Sequence, residues 1–237
     1  MDSSSKILIV EDEVAIRTGL VDVLVYHGYQ VEAAASGREG MEKALSGRFD
    51  LLLLDVMLPE INGFEICHRL RQSDPELAII MLTAKSMDED VIQGLSLGAD
   101  DYVTKPFSIT QLLLRVQAVL RRTRAPENTT DIIHLSDKVT IDCLNLCGKR
   151  DEESLLFTRR EIDLLRYLQQ HGERPVSRDE LLHKVWGYAN NADLETRTVD
   201  IHIAKLRRKL EPEPSQPQFI LTVRGAGYRL HSAAQDS

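Results

Sequence analysis

Five short apolar runs punctuate the first half of the chain: Lys6–Val10, Gln30–Ala34, Leu51–Leu54, Ala78–Leu82 and Asp101–Thr104. Helical periodicity fills the intervals and the tail, at about 13–27, 37–46, 62–72, 87–97 and 108–122. Strand-like runs that are apolar almost throughout, alternating with helices, demand a parallel sheet covered on both faces. Five such repeats predict an α/β fold, an open doubly wound five-stranded sheet of flavodoxin-like type. Its ligand site should lie at the carboxyl ends of the strands, beside the switch in strand order.

The second half is built differently. Strand-like pieces at Ile132–Leu135, Val139–Asp142 and Asn145–Leu146 precede helices at about 158–171, 177–186 and 196–210 and a hairpin over 218–231. Thr158 with Glu161, and Ser177 with Glu180, stand at capping-box spacing. The Pro-rich stretch 211–217 stops the third helix. Three helices with a trailing hairpin describe an α+β winged helix-turn-helix. The polar stretch Thr123–Asp131, with Pro126, reads as a linker. The expected domains are therefore 5–122 and 132–231, joined by 123–131.

At 237 residues the chain has length for two domains, each with its own core. No apolar run approaches a membrane span. The opening Met1-Asp2-Ser3-Ser4-Ser5 lacks the basic and apolar regions of a signal peptide, which predicts a cytoplasmic protein. Cys67, Cys143 and Cys147 form no C-x-x-C pair and are expected to be buried reduced thiols. The net charge of −8 argues against bulk attraction to nucleic acid, but it is unevenly spread. Residues 1–122 carry 12 Lys and Arg against 19 Asp and Glu; residues 196–231 carry seven basic against three acidic. A positive patch on an acidic chain points to one directed contact with a polyanion.

Strand one runs into Glu11-Asp12 and strand three ends at Asp55, so three carboxylates should converge in one crevice. Unpaired, they would raise each other's pKa. A hard dication with oxygen ligands relieves this, Mg²⁺ being the usual choice. Thr83 ends strand four and Lys105 follows strand five. A hydroxyl, an ammonium and a metal beside a carboxylate are what a phosphoryl group in transfer requires.

Glu11-Asp12-Glu13, Leu54-Asp55-Val56-Met57-Leu58-Pro59 with Asn62-Gly63, Thr83-Ala84 and Lys105-Pro106-Phe107 resemble the CheY-like receiver domain. The resemblance implies Asp55 as phosphoacceptor, with Glu11, Asp12, Asp55 and the Met57 carbonyl holding Mg²⁺. Thr83 and Lys105 would bind the phosphoryl oxygens, and the Lys105–Pro106 bond would be cis. Tyr102 matches the aromatic that moves inward on activation. It also implies a sensor histidine kinase as donor.

In the stretch 196–210, Val199, Ile203, Leu206 and Leu210 form a core stripe. The opposite face collects Arg197, Ile201, Ala204 and Arg208, flanked by Lys205. Ile201 among cations suits a thymine methyl in a major groove, with arginine or lysine beside it reaching guanine edges or phosphates. Arg224 stands near the tip of the hairpin and suits a minor groove. Arg197–Ile203, Leu206–Leu210 and Thr222–Arg229 resemble the effector domain of the OmpR/PhoB family of response regulators. By that resemblance Trp186, Thr198 and His202 match phosphate-touching positions, and the target is double-stranded DNA with direct or inverted half-sites. The loop 187–195 matches one that contacts RNA polymerase in relatives that activate transcription.

The same resemblance implies homodimerisation on phosphorylation, through a face with paired salt bridges. Asp101 and Arg115 are kept as one such pair. Val91, Gln111 and Gln117 replace residues that are commonly charged in the family, predicting a more apolar face. The whole predicts a phosphorylation-controlled transcription regulator, not an enzyme and with no membrane partner. Two rivals remain: a constitutive DNA-binding regulator with a vestigial receiver, and a Mg²⁺-dependent phosphohydrolase. The latter needs a second Asp two residues beyond the first, where this chain has Met57.

Overall fold

A computed structural model describes residues 5–83, 97–122, 132–187 and 197–231. The chain divides into two compact units, Met1–Ala125 and Pro126–Ser237. The expected helix at 87–97, the linker 123–131, Ala84, Val91 and all but Gly187 of the loop 187–195 lie largely or wholly outside the described residues.

In the first unit β1 (Lys6–Val10), β2 (Gln30–Ala34), β3 (Leu51–Asp55), β4 (Ala78–Thr83) and β5 (Asp101–Thr104) form one parallel sheet in the order β2-β1-β3-β4-β5. This is the doubly wound arrangement expected, with the switch between β1 and β3. The apolar strand residues serve both faces. Ile7, Ile9, Leu51 and Leu53 pack with Leu20 and Leu24 of α1 (Val14–Tyr26) and with Leu112, Val116 and Val119 of α4 (Ile109–Arg122). The intervening Val10 faces α2 (Gly37–Ser46), which also meets α3 (Gly63–Ser73).

Helix starts are set locally. Ser36 accepts the Glu39 N–H and Asn62 accepts the Glu65 N–H, each satisfying a backbone donor of the first turn. Gly63 lets α3 approach the end of β3: a Cβ there would stand 2.2 Å from the Asp55 carbonyl oxygen. The start of β5 is tied by Asp100, which accepts the Ile79 N–H and pairs with Arg71 at 2.7 Å.

The second unit opens with an antiparallel four-stranded sheet: β6 (Ile132–Ser136), β7 (Val139–Asp142), β8 (Cys147–Arg150) and β9 (Glu153–Leu156). Here the sequence expectation needs correction. Asn145–Leu146 is a turn, in which the Asp142 carboxylate accepts the Leu144 and Asn145 N–H groups and Leu146 takes a positive φ. The third strand begins at Cys147, and a fourth follows it beyond the three strand-like pieces that the sequence pattern predicts. There follow α5 (Arg159–Gln170), α6 (Arg178–Leu181), which passes into a π-helical turn over Leu182–Trp186, α7 (Arg197–Leu210), and a hairpin of β10 (Ile220–Val223) and β11 (Gly227–Leu230).

Thr158 and Glu161 form the full capping box on α5. At Ser177 only half forms, because the Glu180 carboxylate is drawn to Arg174 and Tyr167. Val199, Ile203, Leu206 and Leu210 are all buried in the core of this unit, as their spacing predicts. Cys67 and Cys143 are buried, while Cys147 is only half-buried.

Candidate phosphoryl site and nucleic-acid interface

Register carries the receiver's polar residues to one edge of the sheet. Val10 pairs with Leu54, Asp55 with Leu82, and Thr83 with Thr104. Glu11, Asp55, Thr83 and Lys105 thus emerge together at the carboxyl ends of four adjacent strands. Glu11, Asp55 and Thr83 are buried, whereas Asp12 and Met57 are exposed.

The Lys105 ammonium stands 2.7 Å from a Glu11 carboxylate oxygen and 3.1 Å from Asp55 Oδ2. The Met57 N–H donates to Asp55 Oδ1 at 3.3 Å. Burial raises the Glu11 pKa above the ordinary carboxylate range, the Asp55 charge adds to the rise and Lys105 opposes it. Burial also works against the Lys105 charge, but its bonds to Glu11 and Asp55 more than compensate, and its pKa is raised.

Carboxylate oxygens of Glu11, Asp12 and Asp55 lie within 4.8 Å of one another. One ammonium cannot neutralise three carboxylates, and an all-oxygen donor set suits a hard dication. Arg17, which the sequence reading did not single out, donates to the carbonyls of Glu11 (2.6 Å) and Asp12 (2.9 Å) and fixes the backbone of the acidic turn. An arginine on the helix that follows that turn was the available signal.

The Lys105–Pro106 peptide is cis, and Tyr102 lies inward at 7 % exposure. Asp101 and Arg115, expected on the dimer face, pair with each other within the chain at 2.9 Å, with Asp101 buried. Gln111 and Gln117 are exposed on α4 with Leu114.

The residues of the expected DNA-facing set differ in their exposure. Trp186, Thr198 and His202 are buried: the Trp186 and His202 rings pack edge to face, and His202 Nδ1 meets the Thr198 carbonyl. Their side chains fill the interior instead of meeting solvent. Ile201 is only 9 % exposed and so is not displayed among cations as expected. Lys205 turns inward to Glu161. Arg207 donates to the Ile220 carbonyl and to Thr222, joining α7 to the hairpin. Arg208 and Arg224 are exposed, the latter at the hairpin tip, while the Arg197 side chain lies outside the described residues.

Two buried groups give this unit a pH dependence. Burial depresses the His202 pKa to about 4. For Glu161, burial alone would raise the pKa, but the charges of Lys205 and Lys209 bring it down to about 2. A depressed histidine takes up its proton more readily when unfolded, so stability falls as pH drops from about 6.5 through 4. A depressed carboxylate stabilises above about 4.5, and that contribution is lost as pH falls towards 2. Both act in one direction. From pH 7 to 4 the histidine alone should remove about 3 kcal/mol. Urea unfolding followed by Trp186 fluorescence checks this; a midpoint unchanged over that range contradicts it.

Residues 7–117 match the response regulator receiver domain, and residues 151–230 match the C-terminal domain of transcriptional regulatory proteins. A receiver followed by that effector defines a transcriptional response regulator. Among curated relatives, the alkaline phosphatase synthesis transcriptional regulatory protein PhoP of Bacillus subtilis is 42% identical, covering 96% of this chain and 97% of its own. The response regulator ArlR of Staphylococcus haemolyticus is 43% identical, covering 94% and 98%. Among solved structures, a RitR mutant superposes with a TM-score of 0.73 at 30% identity, covering 97% of this chain and 100% of that one. DrrB, an OmpR/PhoB homologue of Thermotoga maritima, gives 0.53 at 30% identity with the same coverage. The chain belongs to the OmpR/PhoB family of two-component response regulators, transcription regulators with a receiver and a DNA-binding domain.

Proposed function

We propose that Asp55 accepts a phosphoryl group from a partner histidine kinase and that phosphorylation raises the affinity of the second domain for specific double-stranded DNA. The observation that carries this is the meeting of Asp55, Glu11 and Lys105, within 3.1 Å of the Lys105 ammonium, at the strand ends. An Asp55 oxygen forms the new O–P bond as the donor's P–N bond breaks. Lys105, with Thr83 one strand away, faces the negative charge on the transferred oxygens. Glu11, Asp12, Asp55 and the Met57 carbonyl would hold Mg²⁺, which supplies neutralising charge when bound. Arg17 keeps the Glu11–Asp12 turn in place, and Gly63 allows α3 to close against Asp55.

On this reading the receiver spans 5–122 and the effector 132–231. Arg208 and Arg224 are the exposed cations described on the DNA-facing elements, with Arg197 as the third candidate. Phosphorylation adds about −1.5 to −2 charges at one point, too local to act on another domain without a two-state element. Dimerisation through the α4 face, with Leu114, Gln111 and Gln117 exposed on it, supplies that element. The work takes place in the cytoplasm, where kinase, DNA and RNA polymerase meet.

The test is DNA selection followed by footprinting, with and without acetyl phosphate. Phosphorylation should raise affinity for the selected duplex by about tenfold, and beryllofluoride-treated protein should sediment as a dimer. Equal affinity in both states would show the receiver to be vestigial.

A further inference from the structure

Glu161 occupies the third position of α5, and its carboxylate is fully buried. Three groups close on the carboxylate. The Thr158 N–H donates to Oε2 at 2.9 Å, completing the capping box. Lys209 Nζ stands 2.7 Å from Oε2 and Lys205 Nζ 3.1 Å from Oε1. The Thr158 hydroxyl in turn accepts the Glu161 N–H.

Both lysines come from α7, the helix that carries the basic patch. Lys209 is further engaged by the Leu156 carbonyl at 2.7 Å and by the face of Phe157, 5.1 Å from its centroid. The lysine side chains are only 12% and 25% exposed. A buried carboxylate stripped of its partners is strongly destabilising, so these lysines are not readily surrendered. A pair shielded from solvent is also screened by salt far less than a phosphate contact at the DNA surface.

We infer that Glu161 withholds Lys205 and Lys209 from DNA phosphates and fixes the rotation of α7 about its own axis, making it a positioning residue for DNA recognition. The inference rests on α7 and the hairpin being the DNA-binding elements. It removes two of the seven basic residues in 196–231 from the cations open to DNA. Lys205 and Lys209 serve Glu161, and Arg207 serves the hairpin. Arg208 and Arg224 are exposed and enter no ion pair among the described residues. A helix with few loose cations binds arbitrary DNA weakly, and discrimination then depends on the contacts that read bases.

Glu161→Gln in the full chain tests this, because glutamine still serves a capping box while its charge is gone. The probe is a short duplex of mixed sequence, with affinity measured over a range of salt concentrations. Freed lysines should steepen the plot of log affinity against log salt by about one to two units and raise low-salt affinity about tenfold. Adding Lys205→Gln and Lys209→Gln to that variant should restore the native slope. A folded Glu161→Gln chain with the native slope overturns the inference, as does a triple variant that stays steep.

If the single variant does not fold, the native chain still decides the matter. After ¹³C reductive methylation, the methyl signals of residues 205 and 209 should stay in place as duplex is added. Movement of those signals in step with binding overturns the inference. A native chain that binds no duplex overturns the DNA reading and the inference together, whereas the other failures overturn the inference alone.

Discussion

Asp55→Asn protein incubated with acetyl phosphate and Mg²⁺ should acquire less than about 1% of the hydroxylamine-labile phosphate found on the native chain, because the amide is no nucleophile. Three carboxylates meet at the sheet edge, and their settings separate their roles. Glu11 is completely buried with a raised pKa and both oxygens within reach of Lys105, an arrangement that offers no face to an incoming phosphorus. Asp12 is exposed and lies off the strand ends. Asp55 closes β3, with Oδ2 turned to Lys105 and Oδ1 held by the Met57 N–H.

Asparagine preserves the shape of Asp55 and its bond from Met57, so the fold should survive. The DNA affinity gained on phosphorylation should vanish with the phosphate. Labelling that persists would move the acceptor to Asp12. A variant that loses labelling yet regulates normally would revive the vestigial receiver.

The receiver was legible because its candidate site sits at positions that the strand pattern itself defines. Once Leu51–Leu54 is a strand, Asp55 has to fall at its end, and the parallel order brings Glu11, Thr83 and Lys105 beside it. No long-range side-chain pairing needs to be guessed. The effector was legible only in part, for reasons that differ from residue to residue. Cys147–Arg150 and Glu153–Leu156 carry little apolar alternation, since Gly148 adds no side chain and Leu155 alone of the second strand is buried. The pairing of β8 with β7 and of β9 with β8 therefore left no periodic trace.

The periodicity of α7 placed Val199, Ile203, Leu206 and Leu210 correctly but carried no information on how its flanks are engaged. Lys205 turns inward because of Glu161, a residue 44 positions earlier, and a helical wheel of α7 contains nothing about it. His202 is buried for a related reason: the π-helical turn carries Trp186 against it, a contact across two segments that share no local pattern. Even Ser177–Glu180, a sound local motif, was half-diverted by Arg174 and Tyr167 from outside the motif.

The hairpin glycines yield the largest expected effect on stability, and they separate two physical causes. Gly225 has a φ of +75° with open space where a Cβ would go. Gly227 has a φ of +119°, and a Cβ there would stand 2.0 Å from the Val176 carbonyl oxygen. That carbonyl accepts the Tyr228 N–H at 2.9 Å, and the Tyr228 carbonyl accepts the Val176 N–H at 2.7 Å. The overlap therefore cannot be relieved without breaking the bridge that ties the hairpin to the start of α6. Loss of that bridge also disturbs the Tyr228 hydroxyl, which donates to Asp200 of α7 at 2.6 Å.

Gly225→Ala should cost about 1 kcal/mol, the strain of a positive φ alone. Gly227→Ala adds a backbone overlap to that strain and should cost about 4 kcal/mol. In a domain of this size these become falls in melting temperature of about 5 °C and 20 °C for the second unit. The receiver has its own core, so Gly227→Ala should still take up phosphate at Asp55 while its DNA affinity collapses. Calorimetry together with phosphate labelling reads both halves of the expectation. Equal melting shifts for the two variants would show that the overlap is relieved by backbone movement, and that the Val176–Tyr228 bridge does not hold the hairpin in place.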